Sequence, residues 1–250
     1  MRRAFGIPVA AALLTWGGTG RAVTTDTLII ERPMPATHYD ARWTSAVVDT
    51  IMLHFSSDVI ANPQAPFSVD RIFNIYVSAR ASTHYLVDRE GRIYRFVDEK
   101  QRAWHAGRGS VPWDASGANQ MNQHSIGIEI LAIGSARDMR IFMSEARYRD
   151  LATSHPEFIG YTDAQYRTLN RLIDDIMARH PAIRRDRYHI IGHEDYAPGR
   201  KTDPVELFDW TRIGLPRQCP WMTPDLQTTR PSVVGARDAL TSDTPAFLMH

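Results

Sequence analysis

Two segments far apart in the chain carry residues that could do chemistry together. They are Ile51-Met52-Leu53-His54 and Gly192-His193-Glu194-Asp195-Tyr196-Ala197-Pro198-Gly199-Arg200-Lys201-Thr202-Asp203-Pro204. Each sets a histidine at the end of a short apolar strand, and the second adds Asp203 beyond a Pro-Gly turn that can fold the chain back. Neutral imidazoles and a carboxylate suit zinc, whose catalytic sites take three protein ligands and keep a fourth position open. His54, His193 and Asp203 would supply those three, with Lys201 close by, and that set belongs to metal-dependent hydrolysis. A histidine is more often an ordinary core or surface residue than a ligand, so spacing alone leaves the assignment open. Cys219 is the only cysteine, which excludes an internal disulfide and a thiolate-built structural metal site.

The elements that must position these residues are readable from periodicity. Val47 to Phe55 is a buried strand ending near His54. Phe67, Ile72, Phe73, Ile75 and Tyr76 suit a helix over residues 67–80, with Pro66 and Ser68 near its start. Two strands, His84 to Asp88 and Arg92 to Val97, are joined by Arg89-Glu90-Gly91. Ser125 to Ile133 alternates, with Ile126, Ile128 and Ile130 on one face and Gly127, Glu129 and Leu131 on the other. Gly134 to Tyr161 is polar and weakly periodic and reads as a long loop or lid with one helical turn. Thr162 and Gln165 form a capping box before a helix whose Leu169, Leu172, Ile173, Ile176 and Met177 share a face. Tyr188 to Gly192 is the next strand, and Pro204 to Ile213 a short helix with Pro204 at its first position.

This alternation of strands and helices predicts a mixed α/β domain over residues 45–215. Residues 23–44, with Pro33 and Pro35, read as an extended lead-in outside the core, and 216–250, with five prolines and no apolar period, as a tail. The first 22 residues read as an export signal: Arg2 and Arg3, an apolar run from Ala4 to Trp16, then small residues to Ala22. The Arg2-Arg3 pair with Phe5 hints at twin-arginine export. The apolar run is too short to span a bilayer, and no cysteine follows it to carry a lipid. A periplasmic protein without a membrane anchor is expected. With 29 basic and 28 acidic residues scattered along 250 positions, nothing resembles a nucleic-acid footprint.

Five blocks then fall in order: Ile51 to Phe55, Thr83 to Arg89, Trp104-His105-Ala106-Gly107, Asn122 to Ile130, and Gly192 to Pro204. Together they resemble the zinc-dependent N-acetylmuramoyl-L-alanine amidases of the amidase-2 group, which includes anhydro-muropeptide amidases and peptidoglycan recognition proteins. The resemblance implies a central mixed β-sheet flanked by helices, with Zn2+ in a groove that takes peptidoglycan or a muropeptide. It implies His54, His193 and Asp203 as the metal ligands, Glu129 as the acidic group that activates water, and Lys201 as the cation near the scissile carbonyl. Zinc brings the pKa of a coordinated water to roughly 7, a carboxylate such as Glu129 can carry the proton to the leaving amine, and a cation such as Lys201 can steady the oxyanion. His105, Asn122 and Arg200 are candidate substrate contacts, while His84 shares a block without a required role. Phe55 stands where many relatives carry a second histidine, a departure expected to change the groove wall and to leave the ligand count intact. The expected reaction is cleavage of the bond between N-acetylmuramic acid and L-alanine. Two rivals are a non-catalytic peptidoglycan-binding module, which typically lacks the full ligand set, and an enzyme cutting another wall amide.

Overall fold

The computed structural model describes residues 28–220, apart from 115, 116 and 205. The expected export signal and most of the tail lie outside these residues. A six-stranded sheet is built from β1 (Ile29–Glu31), β3 (Thr50–Ser56), β4 (Tyr85–Val87), β5 (Ile93–Arg95), β7 (Ser125–Leu131) and β8 (Ile190–Gly192), in the order β1-β5-β4-β7-β3-β8. The pairings are parallel except β4 with β5, so the sheet is mixed, as expected. A separate antiparallel pair joins β2 (Tyr39–Ala41) to β6 (Gln101–Ala103).

The isoleucine stripe of β7 behaves as its alternation demands. Ile126, Ile128 and Ile130 are fully buried with Ile51 and Leu53 of β3 against α5 (Asp163–Arg179), which contributes Leu169, Leu172, Ile173 and Ile176. Each such side chain withdrawn from water stabilises the fold by roughly 1.5–3 kcal/mol. Thr162 starts α5 with the capping box, its hydroxyl accepting from Gln165 N–H while the Gln165 amide oxygen accepts from Thr162 N–H. α1 (Val69–Ala79) is capped by Ser68 and buries Ile72 and Tyr76 with Leu86, Phe96 and Leu131.

Four expectations need revision. The described part of the lead-in, residues 28–44, joins the sheets: β1 and β2 pair within them, and Arg42 donates to the carbonyls of Asn122, Gln123 and Ser125. Gly134 to Tyr161 is not a loop, since α3 (Ala136–Met139) is capped by Ser135 and α4 (Glu145–Ser154) by Ser144. Met139 of α3, Leu151 of α4 and Met143 between them pack with Phe55 and Val59; α4 buries only Leu151, which is why its periodicity is faint. Among the described residues after Pro204, 206 and 207 form a turn and only Trp210–Ile213 is helical, a short 3-10 helix capped by Asp209. Cys219 is also buried, held between Arg187 and Asp195, so the packed unit continues beyond residue 215.

Candidate metal and catalytic site

Parallel pairing of β3 with β7 sets His54 opposite Glu129. Because Ile51 and Leu53 face α5, the intervening register turns Met52, His54 and Ser56 to the other side. His193 begins the short helix α6 (His193–Tyr196), directly after β8. The chain then turns back at Pro198 and Gly199, and Asp203 is anchored by Glu194 N–H donating to its carbonyl at 3.0 Å. Gly192 makes that return possible: a Cβ there would meet Pro204 Cδ at 2.8 Å and Asp203 O at 3.2 Å.

The result is a convergence of three buried donors whose ligand atoms all lie within 4.8 Å of one another: His54, His193 and Asp203. Asp203 Oδ2 lies 2.8 Å from His54 Nδ1 and 3.2 Å from His193 Nδ1. On the far side of its ring, His193 Nε2 contacts Ala106 O at 2.7 Å. A carbonyl only accepts, so that nitrogen carries the proton. Burial pulls His193 down to about 4 although Asp203 opposes the fall, which leaves the ring neutral at pH 7. Its Nδ1 lone pair therefore faces a carboxylate oxygen. Asp203 Oδ1 is buried without a hydrogen-bond partner. Lone pairs facing one another and an orphaned carboxylate oxygen are unfavourable in an empty protein interior and fit a cation.

Glu129 stands beside this cluster, its Oε1 4.0 Å from His54 Nδ1. Ser56 donates a short hydrogen bond to its Oε2, and Tyr76 reaches the same pair, its hydroxyl 3.5 Å from Ser56 Oγ. Burial raises the Glu129 carboxyl against the opposing pull of His54, Ser56 and Tyr76. Lys201, half-buried on the returning turn, is lowered by burial while Asp203 counters it. A buried carboxylate able to exchange a proton, a cation and a three-donor cluster thus share one locality.

The other expected site residues are placed differently. His105 is 1% exposed, its ring nitrogens engaged by His54 and Ser125, so it lies beneath the cluster rather than facing a substrate. Asn122 spends its amide oxygen on the backbone N–H groups of His105 and Ala106. Arg200 donates to the carbonyls of Ala106 and Arg108. Both order the 104–108 loop. His84 is also interior, accepting from Gly127 N–H, and burial with the Arg42 charge lowers it to about 3. Phe55 is buried with Val59, Ala132 and Ile133, so it forms core rather than groove wall. Sequence reasoning missed Ser56, Tyr76 and Ser125. Ser56, two residues after His54 on the same strand face, was findable; nothing in the sequence links Tyr76 to Glu129.

Comparison with known proteins adds the following. The profile of the N-acetylmuramoyl-L-alanine amidase family matches residues 44–206. Over 197 residues the chain is 31% identical to the 1,6-anhydro-N-acetylmuramyl-L-alanine amidase AmpD of Haemophilus influenzae, covering 72% of this chain and 89% of that one. It is 28% identical to the N-acetylmuramoyl-L-alanine amidase AmiD of Escherichia coli, with 99% of this chain and 79% of that one covered. The crystal structure of a selenomethionine AmpD superposes with a TM-score of 0.55 at 29% identity, over 74% of this chain and 92% of that one. AmiD from E. coli, solved with the substrate anhydro-N-acetylmuramic acid-L-Ala-D-gamma-Glu-L-Lys, gives 0.50 at 26%, over 69% and 59%.

Proposed function

The chain belongs to the N-acetylmuramoyl-L-alanine amidase family, and from that premise we propose a zinc-dependent hydrolase that cleaves the amide between N-acetylmuramic acid and L-alanine in peptidoglycan or muropeptides. The observation that carries the metal assignment is the buried His54, His193 and Asp203 cluster, with its inward lone pairs and orphaned Oδ1. These three residues would hold Zn2+, which would supply Lewis acidity to polarise the scissile carbonyl and acidify water. Glu129 takes the proton of the attacking water at its carboxylate and returns it to the departing L-alanine nitrogen. Ser56 and Tyr76 hold that carboxylate in place. Lys201 offers its ammonium to the negative charge that grows on the carbonyl oxygen.

Support for the substrate class comes from the relatives, which are named for this bond, and from the AmiD complex with an anhydro-muramyl tripeptide. The deciding experiment digests purified sacculi and anhydro-muropeptides with and without chelator, with mass spectrometry of the products. Free stem peptide that disappears with chelator and returns with zinc is expected. Intact substrates would point to a binding module, and cuts within the peptide to a different amide. We further propose a periplasmic location, which the leader pattern of residues 1–22 supports. Fusing that leader to a phosphatase active only after export checks this; a silent fusion would remove it. Among the described residues, no helix is long and apolar enough to cross a membrane.

A further inference from the structure

The histidine beneath the metal cluster has a built environment of its own. Ser125 Oγ lies 2.7 Å from Met121 O and 3.2 Å from His105 Nε2, and His105 Nδ1 lies 3.0 Å from His54 Nε2. The chain His54–His105–Ser125–Met121 ends on a carbonyl, and this gives it a direction. Met121 O only accepts, so it takes the single Ser125 hydroxyl proton. Ser125 Oγ then accepts from His105 Nε2–H. The described partners of the His105 ring are His54, His84 and Ser125, none of them anionic, so with its proton on Nε2 the Nδ1 atom presents a lone pair. That lone pair accepts from His54 Nε2–H and leaves the His54 Nδ1 lone pair turned toward Asp203.

A second observation shows the space to be made for this ring. Gly127 sits on β7 beneath it, and a Cβ there would meet His105 Cγ at 2.6 Å and Cδ2 at 2.7 Å. Gly127 N–H and its carbonyl are meanwhile tied to His84, through His84 Nδ1 at 3.0 Å and His84 N–H at 3.2 Å. The strand is thus fixed at the one position where it must lack a side chain.

We propose that His105 is a positioning residue, which with Ser125 and Gly127 forms a directional relay that locks His54 in its Nε2–H tautomer and aims Nδ1 at the metal position. The proposal rests on the zinc reading for its purpose, while its geometry stands without the metal. A carbonyl serves His193 in the same office, through Ala106 O, so both imidazoles are set by an acceptor behind them. A partner that orients a metal-binding histidine typically contributes about 10–100-fold in affinity.

The test begins with nitrogen-15 imidazole spectra of the metal-free wild-type protein, where His54 is expected as the Nε2–H tautomer. Zinc affinity is then measured by chelator competition for wild type, His105→Leu and His105→Asn. The Leu side chain removes the acceptor, and the Asn side-chain oxygen can replace it near the position of Nδ1. The Leu variant should bind zinc about 10–100-fold more weakly, with the Asn variant recovering most of the loss. A His54 proton on Nδ1 in the wild-type spectrum, or unchanged affinity in a folded His105→Leu protein, would overturn the relay. Should wild type bind no zinc, the metal reading falls, and the tautomer spectrum still decides the relay without any variant.

Discussion

At the scale of single residues, Glu129 shows how one buried carboxylate can be both ionisable and available. Its strand neighbours Ile128 and Ile130 are committed to the core, so the alternation of β7 delivers Glu129 to the opposite face, across from His54. Burial raises its pKa, and Ser56 and Tyr76 prevent it from swinging away. Glu129→Gln keeps size and hydrogen bonding but removes the proton acceptor. We expect this variant to retain zinc at wild-type stoichiometry while kcat falls about 10²–10⁴-fold, the usual contribution of a positioned acid–base group. Metal analysis alongside stem-peptide release checks it, and an unimpaired rate would take the base role from Glu129. Lys201→Met separates a second contribution: loss of one oxyanion donor is expected to cost about 10²–10³ in kcat, with zinc content unchanged. A rate equal to wild type would leave Lys201 as a spectator.

At the scale of elements, the sheet strands and α5 were legible because their patterns are strong: β7 alternates with period two, and α5 carries a capping box and a continuous apolar face. α4 was illegible because a helix that buries only Leu151 leaves almost no period to read. β1 and β2 are not legible because neither buries a residue fully, unlike the equally short β4 and β8, and their identity comes from long-range partners, Ile93 to Arg95 and Gln101 to Ala103, which no local window contains. The β8–α6 junction supports a prediction about spacing. Gly192→Ala would push its methyl into Pro204 and the Asp203 carbonyl. The expected result is a folded protein about 1–3 kcal/mol less stable, the usual cost of overpacking, with weakened zinc binding because Asp203 is displaced. Unchanged zinc affinity in chelator competition would show that the return turn tolerates movement. The end of α5 offers a pH-dependent counterpart. Burial alone would raise the Glu99 carboxyl, but hydrogen bonds from His180, Arg179 and Tyr85 lower it below 4.5. A depressed folded pKa contributes stability that is complete above the unfolded value of 4.5 and is lost as the pH falls below it. Glu99→Gln should therefore cost about 2 kcal/mol near pH 7 and progressively less below pH 4.5. Urea unfolding across that range checks the trend, and a difference that grows on acidification would refute it.

At the scale of the whole molecule, the site draws on three regions that the chain visits separately: the strand carrying His54, the junction carrying His193 and the returning turn carrying Asp203. The two histidine segments and the aspartate could be picked out by residue type and by the ends of apolar strands. What could not be read was the support: Ala106 O and Ser125 act through hydrogen bonds set by tertiary packing, and the side chains expected at a substrate, His105 and Asn122, are spent inward. A metal held by separate regions must couple them in folding, because the unfolded chain offers no preformed site. Free zinc at a thousand times its dissociation constant would stabilise the native state by about 4 kcal/mol. For a chain of this size that corresponds to a thermal midpoint raised by about 8–16 °C. Scanning the purified protein before chelation, after chelation and after zinc return should show the midpoint fall and recover. His193→Ala should show no zinc-dependent shift, since two remaining donors cannot complete the cluster. Identical midpoints with and without chelator, in a preparation shown to carry one zinc per chain, would mean the ion sits elsewhere than between these three regions.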